Sequence, residues 1–206
     1  MKGGDSLLSD SLDLSVESWN ICIGGFLQHE GKPTGMVRLW RLLGLKRSGP
    51  NSQVLLRSWS DNFADLAELI FRMRNGADPD ICIHGYSWGG FSATVLAREL
   101  QRRNLRVRCL VLCDPVYRHW YKLGQWRALM PWSEIEIPAN VDEVYWFRQN
   151  RNLPRGHELV PEPVRLNGIR QPVGRTVIHP PVWLECDHAY CDDSSEFHLM
   201  SLARSA

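Results

Sequence analysis

Residues Pro79 to Leu100 read PDICIHGYSWGGFSATVLAREL, and this stretch decides the fold. Ile81-Cys82-Ile83-His84 is a short, mainly apolar run bounded by Pro79 and Gly85, as a buried strand requires. Downstream, Phe91, Val95, Leu96 and Leu100 recur at the spacing of one helix face. Between the two lies Gly85-Tyr86-Ser87-Trp88-Gly89-Gly90, a G-x-S-x-G pattern with one more glycine behind it. A turn this sharp, from strand straight into helix, pushes the serine Oγ out of the sheet and leaves little room for Cβ atoms beside it. The helix that starts behind the serine aims free N–H groups and the positive end of its dipole at the same point. A glycine-rich turn without chemistry is the alternative, and the strand before and helix after favour the functional one.

Outward from this core the chain alternates strands and helices. Trp19 to Phe26 reads as a strand ending in a Gly-Gly turn, and Met36, Leu39, Trp40 and Leu43 mark an amphipathic helix closed by Gly44. Val54 to Trp59 is the next strand. Ser60 or Asp61 then caps a helix with a Phe63, Leu66, Ile70, Met73 stripe that ends at Asn75-Gly76. Val107 to Cys113 is a nearly continuous apolar run, the mark of a central parallel strand, with Asp114 and Pro115 directly at its end. Val141 to Phe147 and Thr176 to Ile178 supply two more strands, and 150–175 reads as a long surface loop. The pattern predicts an α/β, doubly wound, mostly parallel sheet of about five or six strands with flanking helices. Residues 1–18, rich in Ser, Asp and Gly, read as a flexible arm ahead of one domain over 19–206, with an aromatic-rich insertion at 115–140.

At 206 residues the chain is long enough for a two-faced sheet core. A formal net charge of +1 gives no reason to expect a nucleic-acid partner. Four of the six cysteines (Cys22, Cys82, Cys109, Cys113) fall in or beside apolar runs and read as small core residues of a reducing compartment. No apolar stretch reaches membrane-spanning length, and the start of the chain is too acidic for a signal peptide, so the expected location is cytoplasmic.

His84-Gly85-Tyr86-Ser87-Trp88-Gly89-Gly90 resembles the nucleophile elbow of the α/β-hydrolase family, in its lipase, esterase and thioesterase branches. The resemblance implies a triad of nucleophile, acid and histidine in that chain order, with Ser87 first. Functional groups of a doubly wound sheet gather at the carboxyl ends of strands, where Asp114 stands, and Cys113-Asp114-Pro115 is similar to the Leu-Asp-Pro step of pancreatic-type lipases. Elsewhere in the family the acid follows the next strand, but here that strand leads into Arg148-Gln149-Asn150-Arg151. The family places its histidine after the last strand, which points to His188; His179 is the second candidate and His84 reads as a packed residue. For the oxyanion hole the resemblance points to the Gly24, Gly25, Phe26 loop and to the Trp88 backbone.

Two further expectations concern substrate and metal. Trp120, Tyr121, Trp126 and Trp132 lie in the insertion where the family often carries a cap, and they suit an acyl chain or aromatic group; packing on the sheet or contact with a partner is the alternative. Cys186, His188, Cys191 and His198 are competent zinc ligands, but neither the C-x₂-C nor the H-x₃₋₅-H spacing is present. The leading expectation is therefore a cofactor-free serine esterase acting on a small or lipid-like acyl ester. Thioesterase or acyltransferase chemistry, or a catalytically silent binding module, are its rivals.

Overall fold

A computed structural model describes residues 16–26, 28, 34–46, 49–74, 76–118, 130, 132–166, 169–172 and 176–205. The elements run β1 (Ser18–Gly24), α1 (Gly35–Lys46), β2 (Ser52–Ser58), α2 (Phe63–Arg72), β3 (Asp80–Tyr86), α3 (Trp88–Gln101) and β4 (Val107–Cys113). There follow β5 (Glu134–Ile137), β6 (Val141–Arg148), β7 (Glu158–Pro161), β8 (Pro163–Leu166), β9 (Ile169–Pro172), β10 (Val177–Ile178) and β11 (Val182–Trp183). A 3-10 helix (His188–Asp193) and α4 (Ser195–Arg204) close the chain.

The main sheet has the order β2-β1-β3-β4-β6-β10, every neighbouring pair is parallel, and β11 continues along the β6 edge. The chain therefore steps outward one way from β1 to β2, then crosses back to β3 and proceeds the other way. That reversal between β1 and β3 is a topological switch point, and the crevice above it, at the carboxyl ends of the strands, is where such sheets bind ligands.

The alternation of side chains along each strand sorts them into two cores. Ile21, Ile23, Ile81, Ile83, Leu110 and Leu112 face α2 and α3, whose Phe63, Leu66, Ile70, Ala93, Leu96 and Leu100 cover them. Cys22, Cys82, Cys109, Val111 and Cys113 point the opposite way, toward Met36, Leu39 and Leu43 of α1 and Phe197 of α4. The four strand cysteines thus share one face, where small side chains let α1 and α4 lie close to the backbone.

Local chemistry fixes the helix ends, not always where the sequence suggests. Asn62 caps α2, its Oδ1 accepting from the Ala64 and Asp65 N–H groups at 3.1 and 3.4 Å, in place of Ser60 or Asp61. α1 passes through Gly44 to Lys46, and α2 ends at Arg72, ahead of Asn75-Gly76. Ser194 caps α4 by accepting from the Phe197 N–H at 3.2 Å.

Two larger differences stand out. Of the expected arm, 1–15 lies outside the described residues, whereas Val16 is buried with its N–H on Met73 O and Ser18 already opens β1. The stretch read as a surface loop over 150–175 holds β7, which pairs in parallel with β5, and the antiparallel hairpin β8–β9. The sequence hides β5 and β7 because Glu134-Ile135-Glu136-Ile137 and Glu158-Leu159-Val160-Pro161 are too short to establish a period. No helix among the described residues is long and apolar enough to cross a membrane.

Candidate active site

Ser87 follows the last residue of β3 and precedes the first of α3, with φ 54° and ψ −123°. For a residue with a Cβ this backbone is strained, at a cost of roughly 1–3 kcal/mol, and it persists only where surrounding contacts impose it. Three bonds do so here. The Ser87 N–H donates to Cys113 O at 3.0 Å, and Ser87 O accepts from the Gly90 and Val116 N–H groups at 2.9 and 3.0 Å. The glycines permit the approach: a Cβ on Gly89 would lie 2.2 Å from Ile23 O, and one on Gly85 would lie 2.7 Å from Gly89 O.

Asp114, just past β4, is fully buried and also has a positive φ, 43°. Its Oδ1 accepts from the Gly156 N–H at 2.8 Å and the Gln149 N–H at 3.3 Å. Its Oδ2 accepts from Gln149 Nε2 at 3.1 Å and meets His188 Nδ1 at 2.6 Å. Gln149 stands directly after β6, where the sequence offered no carboxylate, and serves the acid as a donor instead. Its amide cannot turn over freely, because Oε1 accepts from the Arg151 and Asn152 N–H groups while Nε2 also donates to Asn152 O and Pro154 O.

His188 opens the 3-10 helix and is held from four sides. Its N–H donates to Asn152 Oδ1 at 2.8 Å, its carbonyl accepts from the Tyr86 hydroxyl at 2.6 Å, and its ring stacks on Tyr86 at 5.2 Å between centroids. Burial and the nearby Asp192 push the Tyr86 phenol far above its ordinary range, so it remains a donor. On the fourth side, His188 Nε2 lies 2.9 Å from Ser87 Oγ. Asp114 already receives three N–H donors, so its oxygen facing Nδ1 is an acceptor and Nδ1 carries the proton. The Nε2 lone pair then faces the serine hydroxyl, an arrangement that can draw the proton off Oγ.

The expected oxyanion-hole groups fare differently. Trp88 is the first residue of α3, so its N–H has no intrahelical partner. The Phe26 ring, 54% exposed, meets Trp88 at 4.8 Å, which puts this loop beside the elbow. The Gly25 N–H, the other donor expected from this loop, donates to Gln28 Oε1 at 3.0 Å. Gln28 in turn donates to Asp192 Oδ2 at 2.8 Å, which also accepts the Met36 N–H at 3.0 Å. Asp192 is buried, and desolvation raises its pKa above the usual carboxylate value. The chain Gly25, Gln28, Asp192 ties the loop after β1 to the helix that carries His188.

Trp120, Tyr121 and Trp126 lie outside the described residues. Trp132 is 68% exposed and borders a depression with Phe91, Tyr117, Arg98, Glu134 and Glu136. β5, which follows Trp132, packs beside α3. The aromatic surface at the elbow is built by Phe26, Trp59 and Trp88, whose rings meet at 4.8 to 5.9 Å. They come from the ends of three strands, and no sequence spacing unites them.

His84, His179 and His198 are engaged elsewhere. His84 is buried on β3 with Nε2 3.1 Å from Ser205 Oγ, and His179 stacks on Tyr145 at 4.3 Å. His198 Nε2 lies 3.2 Å from Gly35 O, so although Cys186 and Cys191 approach to 3.3 Å, the four residues of the zinc reading do not converge. Among the described residues no group of three or more His, Cys, Asp or Glu is placed to hold a metal ion. No model of a known protein family matches this chain, and no curated protein matches it either.

Proposed function

We propose that the chain is a serine hydrolase of acyl esters, built on the α/β-hydrolase plan and working through an acyl-enzyme. The observation that carries this reading is the unbroken relay from Ser87 Oγ to His188 Nε2 at 2.9 Å and from His188 Nδ1 to Asp114 Oδ2 at 2.6 Å. It lies above the switch point of a parallel sheet, and its serine holds a backbone conformation that folding alone disfavours.

In this mechanism Ser87 Oγ attacks the ester carbonyl as its proton passes to His188 Nε2. Asp114 holds the imidazole in the required tautomer and stabilises the imidazolium. The Trp88 and Phe26 N–H groups receive the developing oxyanion, with the positive end of α3 behind them. His188 then gives the proton to the departing alkoxide, which leaves as the alcohol, and Ser87 keeps the acyl group. Water, deprotonated by His188, attacks that acyl-enzyme; the acid departs and Ser87 recovers its proton.

Labelling with a fluorophosphonate probe tests the assignment. The native chain reacts at Ser87, and Ser87→Ala, which preserves the fold, does not and loses turnover by on the order of 10⁶. Labelling that survives in Ser87→Ala, or a native chain inert to the probe, would end the serine-nucleophile reading.

A further inference from the structure

Arg118 is a cation that the relay does not use. It lies four residues beyond Asp114 and reaches back over the elbow, its guanidinium stacked 4.5 Å above the Trp59 ring. Its Nη1 donates to Trp59 O at 2.9 Å, which fixes the plane of the group. Partial burial pulls its pKa down, and among the described residues no carboxylate stands within ion-pair reach to offset that. Its Nε–Nη2 edge, the side that grips two oxygens of a carboxylate at once, makes no hydrogen bond among the described residues.

Arg118 also lines a cavity of about 430 Å³ between α2, α3 and the segment after β4. Phe63, Phe91, Val95 and Tyr117 supply its apolar wall, with Phe91 and Tyr117 meeting edge to face at 5.3 Å, and Ser60, Asn62 and Ser92 line it as well. Two carboxylates are also in the lining: Glu99 pairs with Arg102 and Arg103, and Asp61 accepts from the Ser58 N–H. A line of contacts joins Arg118 to the elbow: Arg118 covers Trp59, Trp59 meets Trp88 at 4.9 Å, and Trp88 follows Ser87 in the chain.

We propose that this cavity is a subsite for the carboxylate end of an amphiphilic ester, whose apolar chain lies along the aromatic walls while its ester carbonyl sits at Ser87. The inference rests on the ester-hydrolase reading and names the substrate class for it. Glu99 is neutralised by Arg102 and Arg103, and Arg118 is the lining cation with no ion-pair partner among the described residues, which suits a chain with a single anionic end. A neutral chain of equal length fills the same walls but leaves the guanidinium edge unpaired.

The test compares 4-nitrophenyl half-esters of dicarboxylic acids, over a range of chain lengths, with the same compounds capped as neutral methyl esters. The native chain prefers the anionic member of the best-fitting pair by about ten-fold or more in kcat/KM. That preference shrinks as sodium chloride is raised, because salt screens the pairing. Arg118→Gln brings the anionic-to-neutral ratio near one, and Arg118→Lys, which keeps the charge without the two-pronged edge, retains part of it. A ratio near one in the native chain, or the same ratio in Arg118→Gln, overturns the proposal.

A binding measurement separates this proposal from the catalytic one. Calorimetry of the Ser87→Ala chain with monomethyl suberate should show binding that dimethyl suberate and the Arg118→Gln double variant lack. Ester turnover without that discrimination leaves the hydrolase standing and removes the subsite. Discrimination without probe labelling of Ser87 keeps the subsite and removes the hydrolase.

Discussion

Replacing Asp114 by Asn changes one oxygen for an NH₂ group and keeps the shape, so its effect follows from the bonds around it. If the remaining amide oxygen takes the Oδ1 place, it still accepts from the Gly156 and Gln149 N–H groups. The new NH₂ then faces Gln149 Nε2, donor against donor, and also faces His188 Nδ1. If the amide is turned over, two donors face the NH₂ instead, so the first orientation wins. Gln149 cannot relieve it, since its own amide is fixed by Arg151, Asn152 and Pro154. His188 Nδ1 must accept, its proton moves to Nε2, and the base facing Ser87 is lost. The expected fall in kcat is ~10⁴, or about 5.5 kcal/mol of transition-state stabilisation. The unfolding free energy drops by only about 1–3 kcal/mol, for one donor left unpaired in the interior. Initial rates on 4-nitrophenyl acetate, with a thermal melt of the same sample, measure both. Activity of Asp114→Asn within ten-fold of the native chain, or a larger loss in Asp142→Asn or Asp187→Asn, would refute this placement of the acid.

Two other perturbations probe the surroundings. Gln28→Ala removes the acceptor of the Gly25 N–H and one donor to Asp192, so the loop after β1 loses its tie to the His188 helix. We expect kcat to fall by about ten-fold with KM nearly constant, the size of one lost hydrogen bond, and an equal rise in KM would point to substrate contact instead. Burial holds the His84 imidazole down to about 3, whereas the unfolded chain titrates at its ordinary value near 6.5. The unfolded state therefore binds the extra proton between those values, and stability is full above pH 6.5 and falls on acidification by up to ~1.4 kcal/mol per pH unit. In urea melts from pH 7 to pH 4, His84→Gln should flatten this slope, and parallel curves for the two proteins would contradict the assignment.

Much of the elbow is legible in the sequence because its constraints are local. Gly85, Gly89 and Gly90 are spaced by the turn itself, and the strand and helix on either side announce themselves by period. Asp114 was legible for a related reason, standing at the end of an apolar run that had to be a central strand. The helpers of the relay are not local. Gln28 meets Asp192 across most of the chain, and Asn152 and Gly156 sit in a loop with no period. Phe26, Trp59 and Trp88 converge only because three strand ends lie side by side. The division of strand residues into a cysteine face and an isoleucine and leucine face is present in Ile81-Cys82-Ile83 and Cys109-Leu110-Val111-Leu112-Cys113. It goes unread there because every position is apolar and the sheet is covered on both sides.

The central claim is that Ser87 itself carries the acyl group between two halves of a reaction. An aryl N-alkylcarbamate tests it directly, since the carbamoyl-enzyme it forms is hydrolysed slowly enough to be weighed. Intact mass spectrometry after incubation should show one carbamoyl group per chain, mapped by peptide analysis to Ser87 and formed as the phenol is released in equal amount. An adduct on any other residue, or turnover of the same compound by the Ser87→Ala chain, would contradict the account.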